Sequence, residues 1–496
     1  MAIKQFDAAA QSFDVKRAEV EFHNFASLGE PERASRVYRE ENVRRGAVLK
    51  ALREFVGPLT PYLEIGSNAG HTSLMLENEF GARGFALDIS ADSLRHGYAL
   101  MDQWGVTKGP VRMAGDALHL PFRDGSLQTV FAFQMLSQFM DIESVLVEVK
   151  RVLAPGGVFF FAEEPMRRWM TLRLWRCPYE EQMKPWERRL NRWGLLPFLV
   201  QDVIGAGQEE SFGIRQNHTM NLGHWHALIR KHFGAQQYRL FVPERGWLER
   251  AVKKAAVRMD PYGSEWRAAR LLGGTLAAAC RKEGAPEKRT VGKAAGPAAG
   301  EWPEAFEQLL QCPDCGSSLG RDESEILRCA ACDYSAALEG GVYNLLNSRD
   351  RRELYPGDRP DIIDFSRPGH EASLGEGWYQ LEGVFGNRYR WTGAEAQLVL
   401  TNVRGGAQRL RIRGYRQDRP EPTRLGVGLG GAALGEWLLD RPGLFVIETD
   451  LPAAESYRIS LTVSPVEKEV GGDRLLGVNF SLIRLLPLIE SSSSDR

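Results

Sequence analysis

The sequence predicts a doubly wound α/β sheet, followed by a small cysteine-rich unit and an antiparallel β-sandwich. Three observations lead to this prediction. Apolar strands that end in acidic residues alternate with helical segments in the first third of the chain. Two Cys-x-x-Cys pairs lie between Cys312 and Cys332. From about Asp361 onward, short runs alternate between apolar and polar residues with period two, which is typical of half-buried strands.

The strongest signal is a glycine turn after the first predicted strand. Residues 63–70 read Leu-Glu-Ile-Gly-Ser-Asn-Ala-Gly, and Asp88 ends the next apolar run, Gly-Phe-Ala-Leu-Asp. In a doubly wound sheet both strand ends lie at the carboxyl edge, where ligands bind. The glycines permit close backbone approach to a ligand, and the acid suits a ribose diol. The spacing differs from the Gly-x-Gly-x-x-Gly of nicotinamide enzymes, and the Lys-Ser/Thr ending of a P-loop is absent.

Further segments follow this turn at regular intervals. They are Gly115-Asp116 to Phe122, a strand over Thr129–Phe133 that ends at Gln134, a helix over Val145–Leu153, and a Pro155-Gly156-Gly157 turn before another apolar strand. Over roughly residues 45–165 the ordered set resembles the class I S-adenosylmethionine-dependent methyltransferases of the type 11-like group. The resemblance implies a Rossmann-like sheet and methyl transfer.

The resemblance also implies S-adenosylmethionine as the cofactor and a set of residues that bind it. These are Glu64, Gly66, Ser67, Asn68, Gly70, Asp88, Ile89, Asp116, Ala117 and Gln134. Helices before the turn often close over the cofactor in this family, so Arg33, Tyr38 or Arg39 is expected to border the site. Taken singly, an acid here can instead cap a helix, and a glycine can instead form a tight turn.

A general base for the methyl acceptor is not identified by the sequence. Glu163 and Glu164 end a predicted strand, and His218 lies in a predicted loop, so these three are the candidates. His224 and His226 are further possibilities. For each histidine, the alternative is a surface or packing role.

The predicted methyltransferase domain covers residues 1–282, with a core of about 45–165 and last strands that extend to about 281. Residues 165–220 are rich in tryptophan and arginine and are interpreted as an insertion that covers the substrate; a small helical subcore is the alternative. The last strand is predicted over Leu271–Cys280. Residues 283–303 are rich in Ala, Gly, Pro, Glu and Lys, which predicts a flexible linker.

Four cysteines predict a structural zinc ribbon over residues 304–350. Cys312, Cys315, Cys329 and Cys332 form two matched pairs whose thiolates satisfy the tetrahedral preference of zinc. A redox pair, a reactive thiol and an iron–sulfur site are the alternatives. The ribbon resembles those of ribosomal RNA methyltransferases and of the small Trm112-like partner proteins, but in the RNA enzymes it precedes the methyltransferase domain. We expect cofactor affinity to be independent of it.

The β-sandwich is predicted over residues 360–488, with a disordered tail at 489–496. It resembles jelly-roll modules that accompany bacterial glycan-processing transferases. Trp378, Tyr379 and Trp391 are candidates for stacking on sugars, with a core role as the alternative.

Composition limits the function classes. The net charge is −1, with 43% hydrophobic and 26% charged residues, so there is no global field that would attract nucleic acid or membranes. We expect no membrane span, no signal peptide and a cytoplasmic location. The leading hypothesis is O-methylation of a sugar, glycan or related small molecule. The alternatives are an RNA methyltransferase guided by the ribbon, with nucleic acid as a disfavoured partner, and a non-catalytic cofactor-binding scaffold that binds a protein partner through its ribbon or sandwich.

Overall fold

The computed structural model describes Lys16, Val20 and residues 31–139, 141–166, 185–193, 222–241, 257–272, 275–283, 306–355, 360–365, 370–384, 387–417, 419–469 and 472–488. Among these residues the chain divides into two compact units, the first ending at Leu354 and the second beginning at Tyr355. Most of the predicted linker, the predicted tail and His218 lie outside the described residues.

The first unit begins with the alternating strands and helices that the sequence predicts. Its first ten elements are α1 (Pro31–Val56), β1 (Tyr62–Ile65), α2 (His71–Glu79), β2 (Gly84–Asp88), α3 (Ala91–Trp104), β3 (Val111–Ala114), β4 (Leu127–Phe133), α4 (Ile142–Val152), β5 (Leu153–Pro165) and α5 (Pro185–Arg192). Strands β3, β2, β1, β4 and β5 pair in parallel in that spatial order. The strand order reverses between β1 and β4, which places the candidate ligand site at the carboxyl edge there.

The sheet continues past β5 with antiparallel strands. The elements are α6 (Leu222–His232), β6 (Ala235–Phe241), β7 (Val257–Met259), α7 (Ser264–Leu272) and β8 (Thr275–Arg281). Strand β8 lies antiparallel between β5 and β6. The strand predicted over Leu271–Cys280 therefore begins later, at Thr275, because Leu271 and Leu272 are the last residues of α7. A short apolar run does not by itself distinguish a buried helix end from a strand.

The cysteine-rich segment is joined to this sheet. Its elements are β9 (Leu319–Arg321), β10 (Leu327–Cys329), β11 (Ser335–Ala336), β12 (Leu338–Glu339), β13 (Val342–Asn344) and α8 (Ser348–Leu354). Strands β9, β10 and β11 form a small sheet of their own, whereas β13 pairs in parallel with β3 and β12 forms the outer edge. Within the described residues the methyltransferase sheet thus has ten strands. Two of them, β12 and β13, come from this cysteine-rich segment, residues 306–354, which we call the ribbon segment.

Two apolar layers cover the faces of the sheet. On one face, α1 contributes Val48, Leu49, Leu52 and Val56, at the three- and four-residue spacing of an amphipathic helix. The core on the other face contains Val145 and Val149 of α4 together with residues of the ribbon segment such as Leu310 and Leu327. The ribbon segment and the methyltransferase therefore share a single core.

The second unit is an antiparallel β-sandwich, as predicted. Its strands are β14 (Ile362–Asp364), β15 (Trp378–Val384), β16 (Asn387–Thr392), β17 (Glu395–Thr401), β18 (Gln408–Arg416), β19 (Thr423–Leu429), β20 (Ala432–Leu439), β21 (Gly443–Leu451), β22 (Ser456–Ser464), β23 (Glu467–Lys468), β24 (Leu475–Leu476) and β25 (Asn479–Pro487). One sheet has the order β15-β16-β25-β18-β21, with β14 paired to β25, and the other has the order β17-β22-β19-β20. Strand β17 alternates between exposed and buried residues along its whole length, which is the period-two pattern of the sequence.

Candidate cofactor and metal sites

The glycine turn joins β1 to α2 through left-handed backbone conformations. Gly66 has φ 64°, Asn68 has φ 52° and Gly70 has φ 70°. A Cβ atom on Gly66 would lie 2.6 Å from the Cγ of Met135, so the close approach of the loop after β4 requires glycine. Asparagine tolerates the left-handed region better than most other residues.

Asp88 fastens this turn to the end of β2. Its Oδ2 accepts a hydrogen bond from the backbone N–H of Asn68 at 2.7 Å, and its Oδ1 accepts from the N–H of Ser90 at 2.9 Å. The side chain is buried, and Ile89 beside it is half-buried. Because each carboxylate oxygen has a second lone pair, Asp88 is still able to accept hydrogen bonds from a ribose diol.

Asp116 lies just past the end of β3 and forms part of a charged cluster. Its Oδ1 accepts from the N–H of Leu118 at 2.9 Å, and its Oδ2 lies 2.8 Å from the Nζ of Lys16 and 3.3 Å from the Nδ1 of His119. Burial alone would raise the pKa of Asp116, but its bonds to His119 and Lys16 hold it below the ordinary value. Ala117 is buried next to it. The acid is therefore ionised. The family resemblance implies that it meets the adenine ring of the cofactor.

Glu64 is buried in the middle of the predicted site. Its Oε2 accepts a hydrogen bond from the Ser73 hydroxyl at 2.5 Å. Burial raises the pKa of Glu64 to about 7, and the hydrogen bond from Ser73 and the charge of Arg45 oppose this rise only in part. A cation bound nearby would favour the ionised form.

Polar atoms without partners show that the site suits an amino-acid-like ligand. Among the described residues, the Oγ of Ser67, the Oδ1 of Asn42 and the Nδ1 of His71 are buried and make no hydrogen bond. Such groups are costly unless a ligand or water satisfies them. The Ser67 hydroxyl is able to donate to a carboxylate, and the Asn42 oxygen is able to accept from an ammonium group. These are the groups carried by the methionine part of S-adenosylmethionine, so the residues fit this cofactor.

Helix α1 brings a buried ionic network to the same edge. Arg45 is buried, and its Nε donates to the Oε2 of Glu163 at 2.7 Å, while its Nη2 lies 3.2 Å from the Oε2 of Glu41. His71, the first residue of α2, lies 2.9 Å from the same oxygen of Glu41 and stacks on Tyr38 with ring centroids 4.1 Å apart. Burial alone would raise the pKa of Glu41, but His71 and Arg45 hold it at about 2.

Sequence reasoning named Tyr38 at this site but missed Arg45, Glu41, His71 and Lys16. A signal for Arg45 was present, because it lies three and four residues before Val48 and Leu49 on the apolar face of α1. His71 directly follows the glycine turn. Lys16 has no comparable signal, since its two carboxylate partners are distant in the sequence. The side chain of Arg33 lies outside the described residues, and Arg39 is exposed against the ring of Trp104.

The structure separates the candidate bases. Glu163 and Gln134 end neighbouring strands at the candidate site, Gln134 being exposed with φ 51° and Glu163 half-buried with φ 65°. Glu164 is buried, and its two oxygens accept from the backbone N–H groups of residues 135, 136 and 137 at 2.8, 2.8 and 2.9 Å. This arrangement gives Glu164 the geometry of a loop anchor.

The two candidate histidines beyond the insertion, His224 and His226, lie on α6. The Nδ1 of His226 is 2.8 Å from the Tyr238 hydroxyl, and its ring packs against Trp266, so it is a core residue. His224 is exposed on the same helix. Trp225 is buried against Phe161, whereas Trp186 and Trp193 of the predicted insertion are exposed.

The four predicted metal ligands converge. The sulfur atoms of Cys312, Cys315, Cys329 and Cys332 all lie within 4.8 Å of one another, with the pairs 312–332 at 3.7 Å and 315–329 at 3.4 Å. In a regular tetrahedron with Zn–S bonds of about 2.3 Å, sulfur atoms are about 3.8 Å apart. The arrangement is therefore suited to a tetrahedral ion with four thiolate ligands.

The fold and the cofactor edge define the first unit as a class I S-adenosylmethionine-dependent methyltransferase domain. Residues 63–161 match the family described as "Methyltransferase domain". Among curated proteins, the chain is 33% identical over 158 residues to demethylmenaquinone methyltransferase of Thermobifida fusca, covering 32% of this chain and 58% of that protein. It is 29% identical over 128 residues to a probable tocopherol O-methyltransferase of Oryza sativa, covering 26% of this chain and 33% of that protein.

The chain thus spans about a third to somewhat over half of the length of these relatives. Among solved structures, a SAM-dependent methyltransferase of Thermotoga maritima is 15% identical and aligns over 53% of this chain and 99% of its own, with a TM-score of 0.33. Of the helices that the structure describes, none combines the length and apolar character needed to cross a membrane.

Proposed function

We propose that the protein transfers the methyl group of S-adenosylmethionine to a small-molecule acceptor. The observation that carries this proposal is the set of buried polar groups around the glycine turn. The Oγ of Ser67, the Oδ1 of Asn42 and the Nδ1 of His71 have no hydrogen-bond partner among the described residues, and Asp88 and Asp116 lie at or just past the ends of β2 and β3. Methyl transfer is an in-line displacement from a sulfonium, so the enzyme's main task is to position cofactor and acceptor. The described residues place polar side chains suited to this task at the strand ends on both sides of β1.

On the acceptor side, Gln134 and Glu163 are the groups best placed to contact the reacting atoms. Gln134 directly follows β4 and Glu163 lies near the end of β5, and both strands are on the side of β1 opposite β2 and Asp88. Glu163 is oriented by Arg44 and Arg45, whose Nε atoms lie 3.1 and 2.7 Å from its two oxygens. We propose that Glu163 contacts the acceptor. His218 is a candidate on the basis of the sequence alone.

For the acceptor we retain the sequence-based hypothesis of O-methylation of a sugar, glycan or related compound. The support for this hypothesis is the resemblance of the sandwich to modules that accompany glycan-processing transferases. The candidate sugar-stacking residues add little support. Trp391 is buried, and Trp378 packs on Phe365 and Phe480 with its Nε1 donating to the Gln397 carbonyl at 2.7 Å. Of the three candidate aromatic residues, Tyr379 is half-buried, and the guanidinium carbon of Arg474 lies over its ring at 5.3 Å from the centroid.

We propose that a structural zinc ion binds the four cysteines. A four-thiolate shell leaves no open coordination position, so the ion would support the fold and take no part in the reaction. Because the ribbon segment contributes strands to the methyltransferase sheet, guidance toward RNA has less support than a structural role. The near-neutral charge gives nucleic acid little to bind.

The proposal is tested in two stages. Calorimetric titration of the full chain with S-adenosylmethionine is expected to show one site, and absence of binding would overturn the proposal. A tritiated-methyl assay on cell extract, separated into glycan, RNA, lipid, protein and small-molecule fractions, then locates the acceptor. Label confined to RNA would overturn the acceptor class, and binding with no label in any fraction would favour a scaffold.

The pH dependence of cofactor affinity gives a further prediction. Because the cofactor is cationic and the pKa of Glu64 is about 7 in the free protein, binding should release a proton below that pH. The dissociation constant is therefore expected to fall as the pH rises from about 5.5 to about 7.5, by at most about tenfold per unit. Calorimetry at several pH values in buffers of different ionisation enthalpy measures both the dissociation constant and the number of protons released.

The control for this prediction is a second carboxyl with a similar shift away from the cofactor edge. Burial also raises the pKa of Glu77 to about 7, and its partner there is Arg83. Glu64→Gln should flatten the pH profile, whereas Glu77→Gln should preserve it. His119→Gln removes the titration of the histidine beside Asp116, whose pKa is raised by that carboxylate. Equal profiles for the wild type and Glu64→Gln would refute the assignment.

A further inference from the structure

We propose that the metal-loaded ribbon segment supports the adenine side of the cofactor pocket, so that metal binding and cofactor binding strengthen each other. This proposal replaces the expectation from the sequence that cofactor affinity is independent of the ribbon. This inference rests on the proposed function. It concerns how Asp116 is connected to the two Cys-x-x-Cys knuckles, the first formed by Cys312 to Cys315 and the second by Cys329 to Cys332. The residues that carry it are Asp314, Ser348, Asp350 and Lys16, which connect the first knuckle to that acid.

The first contact is strand addition next to the acid. Strand β13 pairs in parallel with β3, with Asn344 opposite Ala114, and the N–H of Leu345 donates to the Ala114 carbonyl at 2.7 Å. Asp116 follows only two residues later. Without β13, the outer edge of β3 would be an unpaired strand edge directly beside the adenine position.

The second contact holds the loop that follows Asp116. The N–H of Gln311 donates to the Pro121 carbonyl at 3.1 Å, and the Nε of Arg123 donates to the Leu310 carbonyl at 3.0 Å. Leu310 is fully buried in the shared core, and Cys312 follows with 1% exposure. The chain that enters the first knuckle is therefore packed against the loop on which the adenine acid lies.

The third contact is a relay of charged and polar groups. Asp314 lies within the first knuckle, and its two oxygens accept from the N–H and hydroxyl of Ser348 at 2.8 and 2.5 Å. Ser348 begins α8, which carries Asp350. The Nζ of Lys16 lies 2.7 Å from the Oδ2 of Asp350 and 2.8 Å from the Oδ2 of Asp116. Lys16 thus joins the acid of the ribbon segment to the acid of the cofactor site.

The second knuckle is tied to the same segment. The hydroxyl of Tyr334, two residues after Cys332, donates to the Leu346 and Asn344 carbonyls at 2.9 and 3.2 Å. A four-thiolate ion fixes both knuckles with respect to each other. Losing the ion removes that constraint from Asp314 and Tyr334, and through them from α8 and β13.

This coupling must be reciprocal, because a ligand whose binding raises the metal affinity must itself bind more tightly when the metal is present. We expect saturating S-adenosylmethionine to raise the zinc affinity of the full chain, measured at equilibrium by competition with a chromogenic chelator, by about fivefold or more. In the same preparation, partial metal removal should weaken cofactor affinity, measured by calorimetry, by a similar factor.

Variants in the relay test the path while leaving the cysteines in place. Asp350→Asn and Lys16→Met should reduce the protection of zinc by the cofactor and raise the dissociation constant of the cofactor. The matched control is Asp322→Asn, because Asp322 also lies in the ribbon segment but pairs with the exposed Arg328. Circular dichroism of the relay variants checks that each one folds.

The outcomes separate this inference from the proposed function. A wild-type chain that binds no S-adenosylmethionine would refute both. Cofactor binding with the same equilibrium zinc affinity in its presence and absence would refute the coupling alone. Wild-type coupling that persists unchanged in Asp350→Asn and Lys16→Met would refute the relay.

Discussion

Replacing Asp88 with alanine is expected to weaken S-adenosylmethionine binding by about 1–3 kcal/mol. The side chain would no longer accept hydrogen bonds from the ribose. It would also no longer accept the backbone N–H groups of Asn68 and Ser90, which it now holds at 2.7 and 2.9 Å. Since Asp88 is buried, two donors would be left without an acceptor. Calorimetric titration of the purified variant measures the loss.

The control for this change is Asp102→Ala, which removes the same carboxylate from an exposed position on α3. Its cofactor affinity should equal that of the wild type. Thermal unfolding of both variants without ligand separates a destabilised turn from a lost ligand contact. If Asp88→Ala bound the cofactor as tightly as the wild type, the ribose position assigned to the end of β2 would be wrong.

Replacing Arg45 with methionine is expected to lower the free energy of unfolding of the first unit by about 3–5 kcal/mol. Methionine is able to fill much of the space, but it would leave the carboxylates of Glu163 and Glu41, which are 10% and 16% exposed, without their shared cation. The Thr72 hydroxyl would also lose the Nη1 of Arg45 at 2.7 Å. Denaturant unfolding followed by circular dichroism and fluorescence measures the change.

Two comparisons isolate the buried network as the cause. Arg258→Met breaks an ion pair between exposed residues, Arg258 and Asp260, and should change stability by no more than about 1 kcal/mol. The double variant Arg45→Met, Glu163→Gln should be less destabilised than the sum of its single variants, because the uncompensated charge is gone. An Arg45→Met variant as stable as Arg258→Met would contradict the predicted role of this network.

The same network predicts the sign of one acid effect. The pKa of Glu41 is held at about 2 in the folded protein, below the usual carboxyl value of 4.5. Its contribution to stability is therefore complete above about pH 4.5 and is lost as the pH falls toward 2. Glu41→Gln should flatten this part of the stability profile, as followed by urea unfolding at successive pH values, and an unchanged acid limb would argue against the assignment.

Local patterns identified the parts of the site that depend on local backbone geometry. The left-handed φ angles of Gly66 and Gly70 were signalled by the glycines themselves. Asp88 and Asp116 were found because they end apolar runs, and the convergence of four cysteines followed from their paired spacing. In each of these cases the controlling contacts lie within a few residues of one another or within one repeating motif.

Contacts between distant residues were not predictable in the same way. Glu163 and Glu164 are adjacent and chemically equal in the sequence, yet one meets the guanidinium groups of α1 and the other binds three backbone N–H groups. The one-residue register shift of β5 against β8 between Phe161 and Glu164 also has no local signature. Their different roles follow from what each side of the strand faces.

Periodicity and turn chemistry are local properties of a chain, so the doubly wound sheet, the glycine turn, the paired cysteines and the sandwich were predictable from the amino-acid sequence. The pairing of the ribbon segment with the methyltransferase sheet and the bridge of Lys16 between Asp116 and Asp350 became visible in the folded chain. Those contacts join segments hundreds of residues apart. They form because unpaired strand edges and buried charges require partners wherever the chain supplies them.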